Sequence, residues 1–313
     1  MKYLHTNILG CFIFDNQFNL VERVQFKSVR DYENKKKTEV KLKNKYRDWK
    51  DVPEKKKGMI VDFFRDKKYF SEFYQMNLRL TKQKIKNSVS PDLLIIQTIS
   101  NIEELTKMSN TLVKRLREWY SWYCPEFSHK IEDNLMFTEL IIKKQKKDLL
   151  RDFKLGESMG ADLKKEDVQE MILLGKEAVN LFKLRKKHEE YLQKVMKKHC
   201  PNILELAGAV IGAKLIELGK GLRHLALLPA STVQLLGAEK ALFRHIKTNA
   251  KCPKFGVIHA HPLVQKAGKK NQGKMARTLA DKLSLCARLD FFKGEFKAKE
   301  YRKELEKRLK EIS

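Results

Sequence analysis

The chain has 313 residues, with 66 lysines and arginines against 39 aspartates and glutamates, and its formal net charge is +27. Such an excess of one sign destabilises a compact protein by self-repulsion, which makes nucleic acid the first candidate partner and an anionic membrane the second. Five cysteines without a C-x-x-C pair argue against a disulfide or zinc framework and favour reduced thiols inside a cell.

The first region, residues 1–90, combines strand-like and lysine-rich stretches. The segments ILGCFIF and FNLVERVQF have the turn signal Asp15-Asn16 between them, which predicts a β-hairpin. Alternation places four apolar residues on one side of the second strand: Phe18, Leu20, Val24 and Phe26. The lysine-dense segment 35–58 contains Pro53 and Gly58 and predicts a solvated loop with short helices. This region is therefore predicted to be a small α+β domain.

Residues 91–200 are predicted to be helical. One helix spans 91–123, a second spans about 128–153, and a third begins near the capping residue Asp162. The third helix repeats small or apolar residues at spacings of four and three: Val168, Ile172, Gly175, Val179 and Phe182. This spacing is the seam of a coiled coil or a long bundle, so its four apolar members are predicted to contact a protein partner.

The third region starts at Pro201 and differs in composition. Small residues around Gly208 and Gly212 allow helices to approach closely, and PAST at 229–232 is predicted to be a loop. The apolar stretch 203–218 contains three charged residues and is too short to span a bilayer. No signal-peptide pattern is recognised, so we expect a soluble intracellular protein that does not enter membranes.

The stretch 240–277 contains no acidic residue, and we call it the acid-free window. Its ten cations are Lys240, Arg244, Lys247, Lys251, Lys254, Lys266, Lys269, Lys270, Lys274 and Arg277. Charged surfaces that only face water normally mix both signs, as residues 297–311 do. The window therefore predicts a surface for a polyanion.

Two amphipathic helices frame this window, joined by a connector at 254–268. A helix at 235–251 carries cations on one side and four apolar residues on the other: Leu235, Ala238, Leu242 and Ile246. A helix at 269–292 carries Lys270, Lys274 and Arg277 on one face, opposite Ala276, Leu279, Leu283 and Ala287. Each helix is thus predicted to bury an apolar face and to expose a basic one.

The chemistry of the window suits RNA. Lysine and arginine neutralise phosphates, while histidine, asparagine and glutamine can contact bases. The residues predicted to bind RNA are Lys240, Arg244, Lys247, Lys251, His259, Lys270, Asn271, Gln272, Lys274 and Arg277, with His261 as a further base contact. Neither an aromatic RNP signature nor zinc-finger spacing is recognised, which favours a structured RNA read by shape and phosphate.

Other readings compete with RNA binding. GKKNQGK at 268–274 matches part of the phosphate-binding loop of nucleotide hydrolases, but Met275 stands where a hydroxyl should hold magnesium. His259 and His261, with Cys252 nearby, supply too few ligands for a metal site. No catalytic signature is recognised, so neither a catalytic nor a metal site is predicted. A coiled-coil interaction protein whose charge only keeps it soluble is a further alternative.

Several strings resemble the Nop family. LPASTVQLLGAEKALFRHIKT (228–248) is similar to the signature of the Nop domain, and PKFGVIHAHPLV and KNQGKMARTLADKLSLCARLDFF resemble its continuation. LREWYSWYCPEFSHKIEDN (116–134) and ESMGADL (157–163) resemble the coiled-coil region of the family. The resemblance covers about residues 92–292.

The resemblance implies a mainly α fold with four segments. These are an α+β domain at 1–90 that binds fibrillarin, a long antiparallel coiled-coil arm at 91–200, an all-helical Nop domain at 201–296 and a charged helical tail at 297–313. The arm would pair with a second copy or a paralogue. Glu239 would order the loop beside it or meet a basic residue of a partner protein.

The implied function is that of a non-catalytic scaffold in box C/D ribonucleoproteins. Such a scaffold binds kink-turn guide RNA together with a small kink-turn-binding protein, and it holds fibrillarin for 2′-O-methylation of RNA. S-adenosylmethionine would belong to fibrillarin, and this chain would need no cofactor. A splicing-factor relative with the same Nop domain but no methyltransferase is the nearest alternative. Only about twenty residues follow Phe292, which favours an archaeal-type cytoplasmic protein over a nucleolar one with a long charged tail.

Overall fold

The computed structural model describes residues 2–46, 48–54, 57–248 and 250–312. The chain divides into two units, Met1–Ser90 and Pro91–Ser313. The segments that the sequence separates at residues 200 and 296 lie together in the second unit. Among the described residues, no helix combines the length and the hydrophobicity needed to cross a bilayer.

The first unit contains a four-stranded sheet in the order β3-β2-β1-β4. Its strands are β1 Lys2–Asn7, β2 Gly10–Phe14, β3 Leu20–Gln25 and β4 Trp49–Asp51. Strands β2 and β3 pair antiparallel, which confirms the predicted hairpin. Strand β4 pairs parallel with β1 and was not indicated by the sequence pattern.

An irregular register in this hairpin changes one predicted face. Leu20 lies opposite Phe14, whereas Val24 lies opposite Cys11. Because positions 11 and 14 of a strand point to opposite sides, Leu20 and Val24 also lie on opposite sides. The prediction of one shared apolar side is therefore wrong at Leu20, which is exposed.

Helices of the first unit pack around the sheet. They are α1 Val29–Glu33, α2 Lys35–Lys45, α3 Lys57–Phe64 and α4 Lys67–Asn87. The shared core contains Phe12 and Phe14 of β2, Ile60 of α3 and Met76 of α4. The segment predicted as a loop with short helices holds α2, and buried Leu42 attaches this helix to the core.

The described part of the second unit is built from helices. They are α5 Pro91–Tyr123, α6 Pro125–Lys130, α7 Asn134–Lys143, α8 Lys146–Asp152, α9 Lys165–His199, α10 Pro201–Ala207, α11 Ala209–Leu218, α12 Leu222–Leu227, α13 Ala230–Leu235, α14 Glu239–Thr248, α15 Pro262–Lys266, α16 Gly268–Phe292 and α17 Ala298–Ile312. A 3₁₀ turn, Val257–Ala260, precedes α15.

The long helices α5 and α9 form the predicted antiparallel arm. Ile95 near the start of α5 shares a core with Leu192 and Met196 near the end of α9. Leu116, further along α5, shares a second core with Met171 near the start of α9. The beginning of each helix therefore lies beside the end of the other.

The chain between these helices folds differently from the prediction. Three short helices, α6 to α8, replace the single helix predicted at 128–153. Asp133 restarts the helix because its side chain accepts a hydrogen bond from Met136 N at 2.6 Å. Helix α9 begins after Lys164 without a side-chain cap, so the predicted cap at Asp162 is wrong.

A buried polar network joins three helices at the end of α16. The Asp290 carboxylate accepts hydrogen bonds from Asn202 N at 3.0 Å and Ile203 N at 2.9 Å. The side-chain oxygen of Asn202 accepts hydrogen bonds from Lys297 N and Ala298 N at the start of α17. Burial raises the pKa of Asp290, although its N–H donors oppose that shift. The network holds α10 and α17 against α16, the helix that carries part of the acid-free window.

Candidate nucleic-acid interface

The helix predicted at 235–251 is shorter in the structure: α14 spans Glu239–Thr248, and a break separates it from α13. Gly237 has φ +87°, which favours glycine, and a Cβ there would lie 2.5 Å from Val257 Cγ2. Glu239 Oε1 accepts a hydrogen bond from Gly237 N at 2.7 Å and so fixes the start of α14. The segment 229–232, predicted as a loop, instead begins α13.

Helix α14 exposes apolar and basic residues together. Lys240, Arg244 and Lys247 are exposed, in agreement with the predicted basic face. Phe243 and Ile246 are 58% and 70% exposed, and no residue of this fully described helix is buried. The expectation that α14 buries its apolar side is therefore wrong: Ile246 is exposed, and Leu242 is only half-buried against the described part of the chain.

The connector after α14 folds back along α13. Gly256 N donates to Gln234 O at 2.9 Å, and Val257 N donates to Leu236 O at 2.8 Å. Gln234 Nε2 also donates to Lys254 O at 2.6 Å. A Cβ at Gly256 would lie 1.9 Å from Leu236 O, so this close approach needs glycine. These contacts fix Lys254 beside α13.

A cleft of about 590 Å³ lies between α13, the connector and α16, and we call it the basic cleft. It is lined by Ser231, Gln234, Leu235, Cys252, Pro253, Lys254, Lys270, Gly273, Lys274 and Arg277. Three of the predicted RNA-binding residues thus share one cavity. Lys254 also lines the basic cleft. The sequence signal for Lys254 was its place in the acid-free window, and the fold of the connector back along α13 had no sequence signal.

The ten cations of the acid-free window form no ion pair within the described residues. Nearby cations of the same unit are neutralised: Lys282 pairs with Glu304, and Arg302 pairs with Glu205 at 3.5 Å. Lys247 lies over the ring of Phe243, 4.7 Å from its centroid. Because no carboxylate of the described chain neutralises them, the cations of the window remain available to an external anion. Lys251, which follows α14, is exposed as well.

The two histidines of the connector have different environments. His259 is half-buried and stacks on Phe255, with ring centroids 4.3 Å apart. His261 is buried; its Nε2 donates to Leu206 O at 2.9 Å, and its Nδ1 accepts from Leu263 N at 3.2 Å. Burial lowers the pKa of His261. The base contact predicted for His261 is therefore wrong, because both ring nitrogens are engaged inside the protein.

Residues 268–274, which match part of a phosphate-binding loop, form the first turns of α16. Such a loop needs glycine-rich non-helical backbone before the helix, so this geometry does not fit a nucleotide hydrolase. Asn271 Nδ2 donates to Ile312 O and so connects α16 to α17, while its predicted contact with RNA stays a prediction. Gln272 is half-buried on the same turn. No group of three or more potential metal ligands occurs among the described side chains.

The predicted protein-contact seam of α9 faces the interior of its own chain. Val179 and Phe182 are buried, and Phe182 belongs to the core shared with α5 and α7. Val168 and Ile172 are half-buried. The partner predicted for this seam is therefore corrected for Val179 and Phe182: these residues pack within the arm and are not available to a second protein.

Comparison with known proteins gives one matching family model. The model Nop, described as "snoRNA binding domain, fibrillarin", matches residues 101–311. Among solved structures, a chain from the crystal structure of a fibrillarin/Nop5p complex covers 99% of this chain and 100% of its own length. That similarity has a TM-score of 0.47 and 21% sequence identity.

Curated relatives include proteins of an archaeon and of fungi. A NOP5 family protein of Methanocaldococcus jannaschii is 39% identical over 82% of this chain and 66% of its own length. Nucleolar protein 56 of Schizosaccharomyces pombe is 36% identical over 68% of this chain and 47% of its own length. Nucleolar protein 58 of the same yeast is 39% identical over 67% of this chain and 45% of its own length. The chain thus spans less than two thirds of the length of these relatives.

Proposed function

The chain belongs to the Nop family of snoRNA-binding proteins, and we propose that it is a non-catalytic scaffold of a box C/D ribonucleoprotein. It binds a kink-turn guide RNA together with a small kink-turn-binding protein, and it positions fibrillarin for 2′-O-methylation of ribosomal or transfer RNA. S-adenosylmethionine and the methyl-transfer chemistry belong to fibrillarin. This chain contributes recognition and placement.

The observation that carries the proposal is the set of cations in the acid-free window for which the described residues provide no carboxylate partner. Lys270, Lys274 and Arg277 share the basic cleft, and Lys240 and Arg244 are exposed on α14. Phosphate groups attract such cations without regard to base sequence, which suits an RNA recognised by its shape.

The exposed apolar side of α14 supports a composite partner made of RNA and protein. Phe243 and Ile246 cannot contribute to binding a phosphate backbone, but they can pack against an apolar patch of a small protein. Arg244 and Lys247 lie on the same helix and remain available to RNA. The kink-turn-binding protein and the RNA would therefore share α14.

The first unit carries surface features that suit a protein partner, and we assign fibrillarin to it. Phe70, Phe73 and Tyr74 of α4 are exposed. A mainly apolar groove of about 390 Å³, lined in part by Ile60, Phe64 and Phe73, lies between α3, α4 and the sheet. Exposed apolar surface of this kind supports docking of a folded protein.

The remaining assignments concern assembly and cell compartment. The arm would pair with a second copy or a paralogue through exposed residues such as Leu173 of α9, since its seam is already filled. We place the protein in the cytoplasm of an archaeal-type cell. The fungal relatives carry the names of nucleolar proteins.

Charge reversal tests the RNA-binding part of the proposal. Replacing Lys240, Arg244 and Lys274 with glutamate should weaken assembly with a kink-turn RNA and its small binding protein by at least about a hundredfold, because three phosphate contacts become repulsive. Circular dichroism should show an unchanged helical signal. A matched triple reversal on α9 (Lys183, Lys186 and Lys187 to glutamate) should retain assembly. Persistence of assembly in the first variant would show that the RNA binds elsewhere.

A pull-down tests the fibrillarin assignment separately. Phe73→Asp should abolish recovery of fibrillarin with the full chain, whereas Val40→Asp, an exposed change on α2 outside the groove, should not. Failure of the unmodified chain to recover fibrillarin, with RNA binding intact, would favour a splicing-factor-type Nop protein.

A further inference from the structure

The basic cleft is concave and has the dimensions of a small-molecule site. Its volume, about 590 Å³, lies within the range of about 300–1,000 Å³ that is typical of ligand pockets. A base-paired duplex keeps its bases stacked inside, so it presents only its backbone to such a cleft. A single nucleotide that has left the stack can enter it.

The lining combines apolar and polar groups in the way that a nucleobase requires. Leu235 and Pro253 supply apolar surface. Ser231 and Gln234, both on α13, supply polar groups. Because Gln234 Nε2 donates to Lys254 O at 2.6 Å, the orientation of this amide is fixed and its Oε1 remains as an acceptor for an amino or imino group of a base.

Four cations line the same cavity. Lys254 comes from the connector, and Lys270, Lys274 and Arg277 come from α16. No carboxylate among the described residues pairs with them, so a phosphate entering the cleft meets an uncompensated positive charge. Arg277 can engage two phosphate oxygens at once, whereas the lysines act as point charges.

We infer that the basic cleft binds one unpaired nucleotide of the RNA, with its phosphate among Lys254, Lys270, Lys274 and Arg277 and its base between the α13 polar groups and Pro253. The inference rests on the proposed RNA-binding function and adds a preference for unpaired over paired RNA. A free nucleoside monophosphate offers the same chemistry, so the two sources have to be compared.

Cys252 provides the probe. It lines the cleft and is exposed, whereas the other four cysteines, all in the described part of the chain, are buried. Alkylation of the 313-residue chain by a small thiol reagent should therefore proceed first at Cys252. The rate would be measured with a fully paired RNA stem, with the same stem carrying one unpaired nucleotide, and with each of the four nucleoside 5′-monophosphates.

The stem with the unpaired nucleotide should slow alkylation of Cys252 strongly at a saturating concentration, while the paired stem leaves the rate nearly unchanged. Ser231→Ala and Gln234→Ala should each reduce the affinity for the unpaired-nucleotide RNA by about fivefold through loss of a hydrogen bond, with the affinity for the paired stem unaltered. Gln193→Ala, an exposed glutamine on α9, serves as the matched control and should change neither affinity.

The other outcomes separate the two proposals. Equal protection by both stems, or binding of both without protection, would overturn the nucleotide site and leave RNA binding intact. Protection by a monophosphate at the same concentration as the RNA would show a site for free nucleotides instead. Failure of both stems to bind would overturn the nucleotide site, and the proposed function would then fail as well only if the kink-turn RNA with its small binding protein also did not assemble with the chain.

Discussion

His261 makes the helical unit sensitive to acid. Its two ring nitrogens connect α10 to the start of α15 through Leu206 O and Leu263 N. Burial and the nearby charge of Arg302 hold the pKa of His261 below its ordinary value, against the opposing effect of the bond to Leu206. The unfolded chain therefore takes up a proton at a higher pH than the folded protein does.

This linkage predicts a loss of stability below neutral pH. The contribution of His261 is present above the unfolded pKa of about 6.5 and is lost progressively as the pH falls below it. In His261→Asn the amide oxygen can still accept from Leu263 N, but the residue does not titrate. The difference in unfolding free energy between the natural chain and this variant should shrink between pH 7.5 and 5.5 in urea denaturation. A difference that stays constant would contradict the assignment.

Individual residues of the site were predictable where they lie on a long regular helix. The periodicity of α16 was enough to place Lys270, Lys274 and Arg277 on one face. Gln234 and Lys254 could not be foreseen, because their position depends on a connector that folds back through a glycine contact. The bond from Asn271 to the end of α17 could not be foreseen for a related reason, because the two residues are distant in sequence.

At the scale of helices, α9 shows that the stability of the arm depends on the face of the helix that packs against α5. Met171 is completely buried in the core shared with α5, while Leu173, two residues later, is exposed. Both side chains are apolar and similar in size. The two residues should therefore contribute differently to the free energy of unfolding, almost entirely because one is buried and the other is exposed.

Truncation of these two residues should give unequal results. Met171→Ala should lower the free energy of unfolding by about 2–5 kcal/mol, because it removes buried contacts and leaves a cavity. Leu173→Ala should change it by less than about 0.5 kcal/mol. Chemical denaturation of the full chain measures both. Similar losses for the two variants would indicate that Leu173 is buried in solution, for example against a second copy.

The sequence predicted a helix correctly where the signals for its start and end lie within the helix itself or beside it. The bounds predicted for α5, residues 91 to 123, are those of the structure. The prediction of one helix at 128–153 failed because a new helix starts after Asp133, whose side chain caps it. Hydrophobic periodicity does not reveal a capping hydrogen bond. For α14 the amphipathic pattern was real, but a pattern alone cannot say whether the chain itself or a partner covers the apolar side.

At the scale of the molecule, the charge of +27 should govern how tightly RNA is held. If about four phosphates are neutralised in the acid-free window, the logarithm of the association constant should fall with the logarithm of salt concentration with a slope of roughly −3 to −4. Filter binding or fluorescence anisotropy over a salt series measures the slope. Lys274→Ala should reduce its magnitude by about one.

A slope near zero would contradict the role of the acid-free window. An unchanged slope in Lys274→Ala would remove this residue alone from the set of phosphate contacts. The same series with Lys187→Ala, an exposed cation of α9, should reproduce the slope of the natural chain.

The interior beneath the helices of the acid-free window continues into the arm. Ile95 of α5 and Met196 of α9 lie in the same hydrophobic cluster as Val264 and Leu279. Truncation at residue 201 would therefore remove core residues that pack against the remaining helices. A fragment made to test RNA binding should begin at Pro91. The same shared cluster anchors the base of the arm to the helices that carry the basic cleft, so substitutions at Ile95 or Met196 should destabilise both parts together.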